Sequence, residues 1–217
     1  MNHSLFCFPK LKGFLLSAQH KRLGWCISNV ETDSLYFNDV FDTIHVDEML
    51  FYLTEARRRY YLLPGEPIPH RQVRSKRYIT KVMMLAAVVR PRWDLDSRAC
   101  FDGKLGIRPF IERKPAVRSS RRRPAGTLVT MEGRVNQETY RNILIQQLLP
   151  AIREKWHFSG RGGCVRVQQD NAPARIDTSD QRFATAVAEQ GLNVQLCFHP
   201  PNSPDFNCLD LSLFSAI

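Results

Sequence analysis

The stretch that decides the fold is Cys164-Val165-Arg166-Val167-Gln168-Gln169-Asp170-Asn171-Ala172-Pro173. From Cys164 to Val167 apolar and polar residues alternate, the period of a half-buried strand. A carboxylate then follows, and Pro173 turns the chain. An aspartate in that position is ordinarily a turn former or a helix cap. It is also where an open α/β sheet presents ligands, just beyond the carboxyl ends of its strands. The two readings separate only when the elements around the stretch are placed.

On the C-terminal side, Ser179 to Gln190 has helical spacing (Phe183, Ala184, Val187, Ala188) and is closed by Gly191. Asn193 to Phe198 is a further strand, and a helix is expected to begin at Cys208. On the N-terminal side, Asn136 can cap a long helix whose Tyr140, Leu144, Leu148, Ile152 and Trp156 recur every four residues. Pro150 lies inside that pattern and is expected to kink it. Earlier still, Val82 to Val89 is apolar on both faces, as a central strand is, and residues 42–48 form a short strand ending at Asp47-Glu48. The runs Phe51-Tyr52-Leu53 and Tyr60-Tyr61-Leu62-Leu63 flank Arg57-Arg58-Arg59 like a hairpin with a basic turn. One or two amphipathic helices are expected within residues 10–30, and residues 31–41 are a connector. The order gives an α/β fold, a mixed central sheet flanked by helices, antiparallel early and joined by crossover helices later.

Composition bounds the partners. The chain has 217 residues, enough for one domain with a sizeable core. Lys+Arg number 31 against 21 Asp+Glu, a net charge of +10. Such a surface attracts polyanions, nucleic acid first among them. Residues 90–135 are rich in Pro, Gly and Arg and are expected to form a basic insertion loop. Its densest part holds Arg113, Lys114, Arg118, Arg121, Arg122 and Arg123, which can bind DNA or serve as a nuclear-import signal. Arg57–Arg59, with Arg71, Arg74, Lys76 and Arg77, can also hold phosphates. Six cysteines are scattered without a CxxC or zinc-finger spacing, which argues for buried free thiols rather than a disulfide framework or a zinc site. No apolar run is long enough to span a membrane.

Three carboxylates lie at or just beyond expected strand ends: Asp47, Asp170 and Asp210. Adjacent strand ends can gather such groups although they are far apart in sequence. Clustered carboxylates repel unless cations neutralise them, and hard oxygen ligands suit Mg²⁺ or Mn²⁺. Two such ions about 4 Å apart can activate a nucleophile and stabilise the leaving oxygen in phosphodiester chemistry.

The segments IHVDE (44–48), KVMMLAAVVRPR (81–92), FDGKLGIRPF (101–110), RPAGTLV (123–129), LLPAIREKW (148–156), VQQDNAPAR (167–175) and PPNSPDFNCLDLSLF (200–214) resemble the mariner-like transposases of plants and oomycetes. The resemblance covers roughly residues 40–217. It implies a ribonuclease-H-like core that cleaves and joins DNA strands with two Mg²⁺ or Mn²⁺ ions. It also implies a nuclear location, double-stranded DNA as partner at transposon ends and target, and a homodimer. The first two metal-binding and catalytic residues match Asp47 and Asp170. For the third, 34 residues separate Asp170 from Asp205 and 39 separate it from Asp210. Aligned on the SPD text, the family's carboxylate falls on Asp210, leaving Asp205 and Asn207 as turn and helix-entry residues. Glu48 and Asn171 stand beside the first two aspartates as supporting groups, or as a solvated strand end and a turn cap. His45 is expected at the surface, and Tyr140 and Trp156 in the core.

The chain departs from the family pattern in having Met49-Leu50 after Asp47-Glu48, where Lys-Trp is usual, and Ala174-Arg175 where a His is usual. The resemblance further implies a catalytic-domain fragment, with residues 1–40 a helical linker and the core, residues 41–217, cut short at its C-terminus. The alternative reading is a catalytically inactive, truncated or domesticated DNA-binding remnant.

Overall fold

The computed structural model describes residues 18–38, 42–52, 61–67, 79–94, 98–156, 164–200 and 207–214. Its centre is a five-stranded mixed sheet. The participating strands are β1 (Thr43–Tyr52), β2 (Lys81–Val88), β5 (Lys104–Pro109), β8 (Val165–Gln169) and β9 (Val194–Phe198), in the order β5-β2-β1-β8-β9. β2 pairs antiparallel with both β1 and β5, whereas β1, β8 and β9 run parallel. Parallel neighbours need a crossover, and between β8 and β9 it is α4 (Gln181–Glu189). Asp180 caps α4 through the Phe183 amide, and Gly191, at φ +65°, ends it as expected.

One sheet face carries Ile44, Val46, Leu85, Ala87, Leu105, Val165, Val167, Val194 and Leu196 into the core. Phe183, Ala186 and Val187 of α4 cover it, together with the long helical run from residue 137 to 155. That run begins at a complete capping box: Asn136 accepts from the Thr139 amide, and the Thr139 hydroxyl accepts from the Asn136 amide. Its every-fourth-residue stripe is buried as expected, with Tyr140, Leu144, Leu148, Ile152 and Trp156 all below 5% exposed. The irregularity is not a break at Pro150. α2 (Gln137–Ile143) passes through one π turn (Leu144–Leu148) into α3 (Leu149–Lys155). The Leu149 amide there donates to the Leu144 carbonyl, one residue further back than in an α-helix. Pro150 has no amide to offer the Gln146 carbonyl and its ring crowds it, and widening the turn upstream accommodates both.

Two expectations change. Tyr61–Leu63 are not a strand, and β1 takes β2 as its antiparallel partner, from His45↔Val88 to Tyr52↔Lys81. The basic turn Arg57–Arg59 and the cations Arg71 to Arg77 lie outside the described residues, as does Asp205. The segment 90–135, expected as a loop, carries five strands. β3 (Arg92–Asp94) and β4 (Ala99–Phe101) form one hairpin, β5 joins the central sheet, and β6 (Ile111–Pro115) with β7 (Leu128–Glu132) forms another. Backbone pairing does not require apolar side chains when both faces of a ribbon are solvated. The root of β6–β7 is held instead: Phe110 is core, and the Gly133 amide donates to its carbonyl at 2.9 Å. A Cβ at Gly133 would lie only 3.1 Å from the Phe110 carbonyl carbon, so the close approach of the two strands depends on glycine.

α1 (Ala18–Ser28) accounts for one of the helices expected near the N-terminus. Among the described residues no helix is long and apolar enough to cross a membrane. The described cysteines are free, and Cys100 is exposed rather than buried.

Candidate metal and nucleic-acid site

The site forms where β1 outlives its parallel partner. β1 pairs with β8 only as far as His45↔Gln168, while its pairing with β2 continues to residue 52. Asp47 therefore lies inside a strand rather than at its end, but on an edge that β8 has vacated. Carrying the β1–β8 register two positions onward sets Asp47 opposite Asp170, the first residue after β8. Neighbouring strands are about 4.8 Å apart, and the two residues are near enough for the charge of Asp170 to act on the Asp47 carboxyl.

The C-terminal helical turn (Leu209–Leu213) supplies the third group and packs against β1. Asn207, only 2% exposed, is the coupling residue. Its amide nitrogen donates to Asp47 Oδ2 at 2.8 Å and to Asp210 Oδ2 at 3.0 Å, while its Oδ1 accepts from the Leu209 amide. One side chain thus enters the helical turn and ties two carboxylates 163 positions apart in numbering (210 minus 47). Burial, and next the charge of Asp210, push the Asp47 carboxyl up to about 6; the Glu48 amide and Asn207 pull the other way, and Asp170 adds to the rise.

Beneath this surface lies a second layer. Residues 44, 46 and 48 share the core face of β1, so Glu48 points inward. There it meets Arg175, whose two terminal nitrogens grip both carboxylate oxygens. The Nε of Arg175 makes an ion pair with Asp170 Oδ1. The guanidinium lies 4.8 Å from the centre of the fully buried Tyr140 ring. The turn after β8 delivers Arg175 to this place, its amide donating to the Ala172 carbonyl at 2.9 Å. Burial pushes the Glu48 carboxyl up to about 7, against the pull of Arg175.

The structure therefore brings Asp47, Asp170, Asp210 and Glu48 into one neighbourhood. Among the described residues no three His, Cys, Asp or Glu side chains close on a common ion position. Asn171 is exposed and makes no hydrogen bond to Asp170. His45 is not the expected surface residue: burial, with His199 and Arg166 nearby, lowers its pKa to about 4, so it is neutral at pH 7. It lines a cavity of about 280 Å³ between the sheet and α1, shared with Trp25, Asn29, Asn38, Thr43 and Arg166.

No family model matches the sequence, and no curated protein matches it. Solved structures do. The Mos1 mariner paired-end complex with Mn superposes with a TM-score of 0.55 at 17% identity, over 94% of this chain and 49% of that one. The Mos1 transposase paired-end complex with left transposon end gives 0.50 at 17% identity, over 100% and 52%. The fold is ribonuclease-H-like. The chain spans about half the length of the solved chains it matches.

In this ribonuclease-H-like frame the basic cluster sits apart from the carboxylates. Arg113 and Lys114 are on β6; Arg118, Arg121, Arg122 and Arg123 are on the tip of the β6–β7 hairpin, and all six are exposed. The tip is closed by the mutual Ser120–Arg123 bridge and by Ala125 donating to the Ser119 hydroxyl. Lys114 is paired with Glu112. Sequence reasoning missed two residues. Asn207 looked like a helix-entry residue, which it also is. Arg175 registered only as a departure from a family pattern. Its signal was its place, five residues after Asp170 and beyond a proline turn, where a cation could fold back under a carboxylate.

Proposed function

We propose that this chain is the catalytic core of a mariner-like transposase of the plant and oomycete type, cleaving and joining DNA strands at transposon ends. What supports the reading is the Asn207 amide that ties Asp47 to Asp210, together with the β1–β8 register, which carried onward sets Asp170 beside Asp47, in a ribonuclease-H-like sheet. The solved neighbours with this fold are named for a complex with Mn and for one with a transposon end, which supports divalent metal and DNA as this chain's partners too.

In its chemistry the donor set suits a hard cation, although no three of the described side chains close on one ion position. It consists of carboxylate oxygens without thiolate or imidazole, and one member, Asp47, is pushed up to about 6 by burial and by its acidic neighbours. Asp47, Asp170 and Asp210 would hold the metal, which when bound supplies Lewis-acid activation of the attacking oxygen and charge neutralisation at the phosphate. Asn207 orients Asp47 and Asp210 through one amide, and Arg175 orients Asp170 and Glu48 from below. The exposed cations of the β6–β7 hairpin hold the DNA backbone. Action in the nucleus, with two cores acting as a homodimer, completes the proposal.

The test is nicking of supercoiled plasmid by the purified chain in Mn²⁺. Activity that an Asp170→Ala variant lacks supports the reading; nicking no greater than that variant's overturns it. A second reading, a DNA-binding remnant without catalysis, is favoured by the ion pair between Asp170 and Arg175. It predicts salt-dependent DNA binding with no nicking in either protein.

A further inference from the structure

The second face of the sheet carries polar groups that the carboxylate reading does not use. Alternation along β1 sets Thr43 and His45 opposite the core residues Ile44 and Val46, and the β1–β8 register pairs them with Arg166 and Gln168. These four residues line the cavity of about 280 Å³, together with Trp25 and Phe198. Two of the lining atoms, the Thr43 hydroxyl and His45 Nδ1, are buried without a hydrogen-bond partner. Thr43 is only 4% exposed. Buried polar atoms are nearly always paired, and atoms left open against a cavity are atoms that a ligand can pair.

The lining selects a ligand by its chemistry. Trp25 and Phe198 offer aromatic surface to a flat ring. The Thr43 hydroxyl both donates and accepts, and the His45 ring nitrogen does either according to its tautomer. Arg166 brings a positive charge. A flat ring with a hydrogen-bonding edge and an attached anion is a nucleotide. The volume lies just below the roughly 300–1,000 Å³ of pockets for drug-sized ligands, which gives room for one nucleotide and none for a duplex. The place also fits. His45 stands two residues before Asp47, and Gln168 two before Asp170. At about 3.3 Å per residue the cavity begins roughly 7 Å from the carboxylates. A duplex strand advances about 3.4 Å per nucleotide, so the two places are about two nucleotides apart.

We propose that this cavity binds a single nucleotide, with its base against Trp25 and Phe198, its edge on Thr43 and His45, and its phosphate toward Arg166. The role of the site rests on the DNA-cleaving reading given above: it seats one base beside the bond to be cut. Its chemistry is the same for a nucleotide of a DNA strand and for a free one. Thr43 and Trp25 are thereby specificity-determining residues that lie outside the carboxylate centre.

The experiment is equilibrium dialysis of the full chain against dAMP, dCMP, dGMP and dTMP, with deoxyribose 5-phosphate as the base-free control. The wild type retains at least one mononucleotide and not the control. Thr43→Val keeps the shape and removes the orphaned hydroxyl. It weakens retention about 3- to 10-fold, as for one lost hydrogen bond, without lowering the urea midpoint of unfolding. Trp25→Leu weakens it about 5- to 100-fold through lost stacking, and serves if the first variant does not fold. A merely structural role would move the midpoint and not the retention. Displacement of the mononucleotide by a single-stranded oligonucleotide assigns the site to a DNA strand, and no displacement assigns it to a free nucleotide. No retention of any mononucleotide at millimolar concentration, or retention that neither folded variant alters, overturns the inference and leaves plasmid nicking as the separate measure of the cleavage reading. Retention by a chain that nicks no plasmid in Mn²⁺ supports the cavity site and overturns the cleavage reading.

Discussion

The carboxylate centre and the β6–β7 hairpin are both crowded with charge of one sign, and they solve that problem in opposite ways. The hairpin carries six cations between Arg113 and Arg123, all exposed. Water and salt screen them from one another, so the ribbon needs only its backbone pairing and an anchored root at Phe110 and Gly133. Of the carboxylates, Asp47, Glu48 and Asp170 are half-buried and Asp210 is exposed. There each charge needs a specific partner: Asn207 for Asp47 and Asp210, Arg175 for Glu48 and Asp170. Exposed charge can be substituted freely and remains available to a polyanion. Buried charge is committed to a geometry, which is what a catalytic or metal-binding group requires.

That contrast can be broken in four ways. The largest effect is expected at the surface of the centre. Asp47→Asn, Asp170→Asn or Asp210→Asn should each lower the plasmid-nicking rate on the order of 10²–10³-fold, by removing a fixed charge from the place where the reaction develops charge. The same substitutions should leave DNA affinity within about twofold of wild type, as for exchange of a group that binds no phosphate. A comparable loss of affinity and rate would mean that the aspartates are structural.

Next in size is Arg175→Ala, expected to lower stability by about 3–5 kcal/mol because it strands the buried Glu48 carboxylate. Urea unfolding measures it, and Glu48→Gln in the same chain should recover a large part of the loss. A cost below about 0.5 kcal/mol, typical of an exposed site, would show that the ion pair is not buried in solution.

The hairpin should behave in the reverse manner. Replacing Arg113, Lys114, Arg118, Arg121, Arg122 and Arg123 with Gln should weaken DNA binding roughly 10- to 100-fold and reduce the salt slope by up to about 5, given about 0.9 per phosphate contact. Stability should change by about 0.5 kcal/mol or less. An unchanged salt slope would place the DNA elsewhere.

The smallest expected effect concerns pH. The Asp47 carboxyl is raised from its ordinary value to about 6, first by burial and then by Asp210. The folded chain therefore holds that proton more tightly than the unfolded one. Asp47 costs stability as pH rises from about 4 to about 6, and the cost is complete above pH 6. Asp47→Asn should accordingly raise stability at pH 7 by about 1 kcal/mol, discounted for the partial exposure of the group, and leave it nearly unchanged at pH 4. A loss of stability at pH 7 would show that the Asn207 hydrogen bond outweighs the repulsion.

Much of this fold was legible from local signals. Strand alternation from Cys164, the Asn136 cap, the four-residue stripe from Tyr140 to Trp156 and the stop at Gly191 all arise from residues within one or two turns of each other, and each lies where its pattern places it. The 90–135 segment was not legible as strands, because Arg, Pro and Gly composition describes side chains, whereas β5 and β6–β7 are held by backbone pairing to partners elsewhere. His45 failed for a related reason. Alternation sets it on the opposite face from Ile44 and Val46, but only the fold places Trp25, Asn38 and Arg166 around that face and leaves it half-buried.

What the sequence determined by itself was therefore the inventory: a basic α/β chain, its principal helices and core strands, and three aspartates in positions that a sheet edge could gather. What only the tertiary structure decided was who meets whom. Glu48 lies 127 positions from Arg175, and Asp47 lies 160 from Asn207. No local pattern encodes such pairs, because they follow from strand order, from the point where β8 ends beside β1, and from the turn that returns Arg175 beneath Asp170. Periodicity reports what a residue does to its neighbours in the chain. The energetics of a buried charge depend on its neighbours in space.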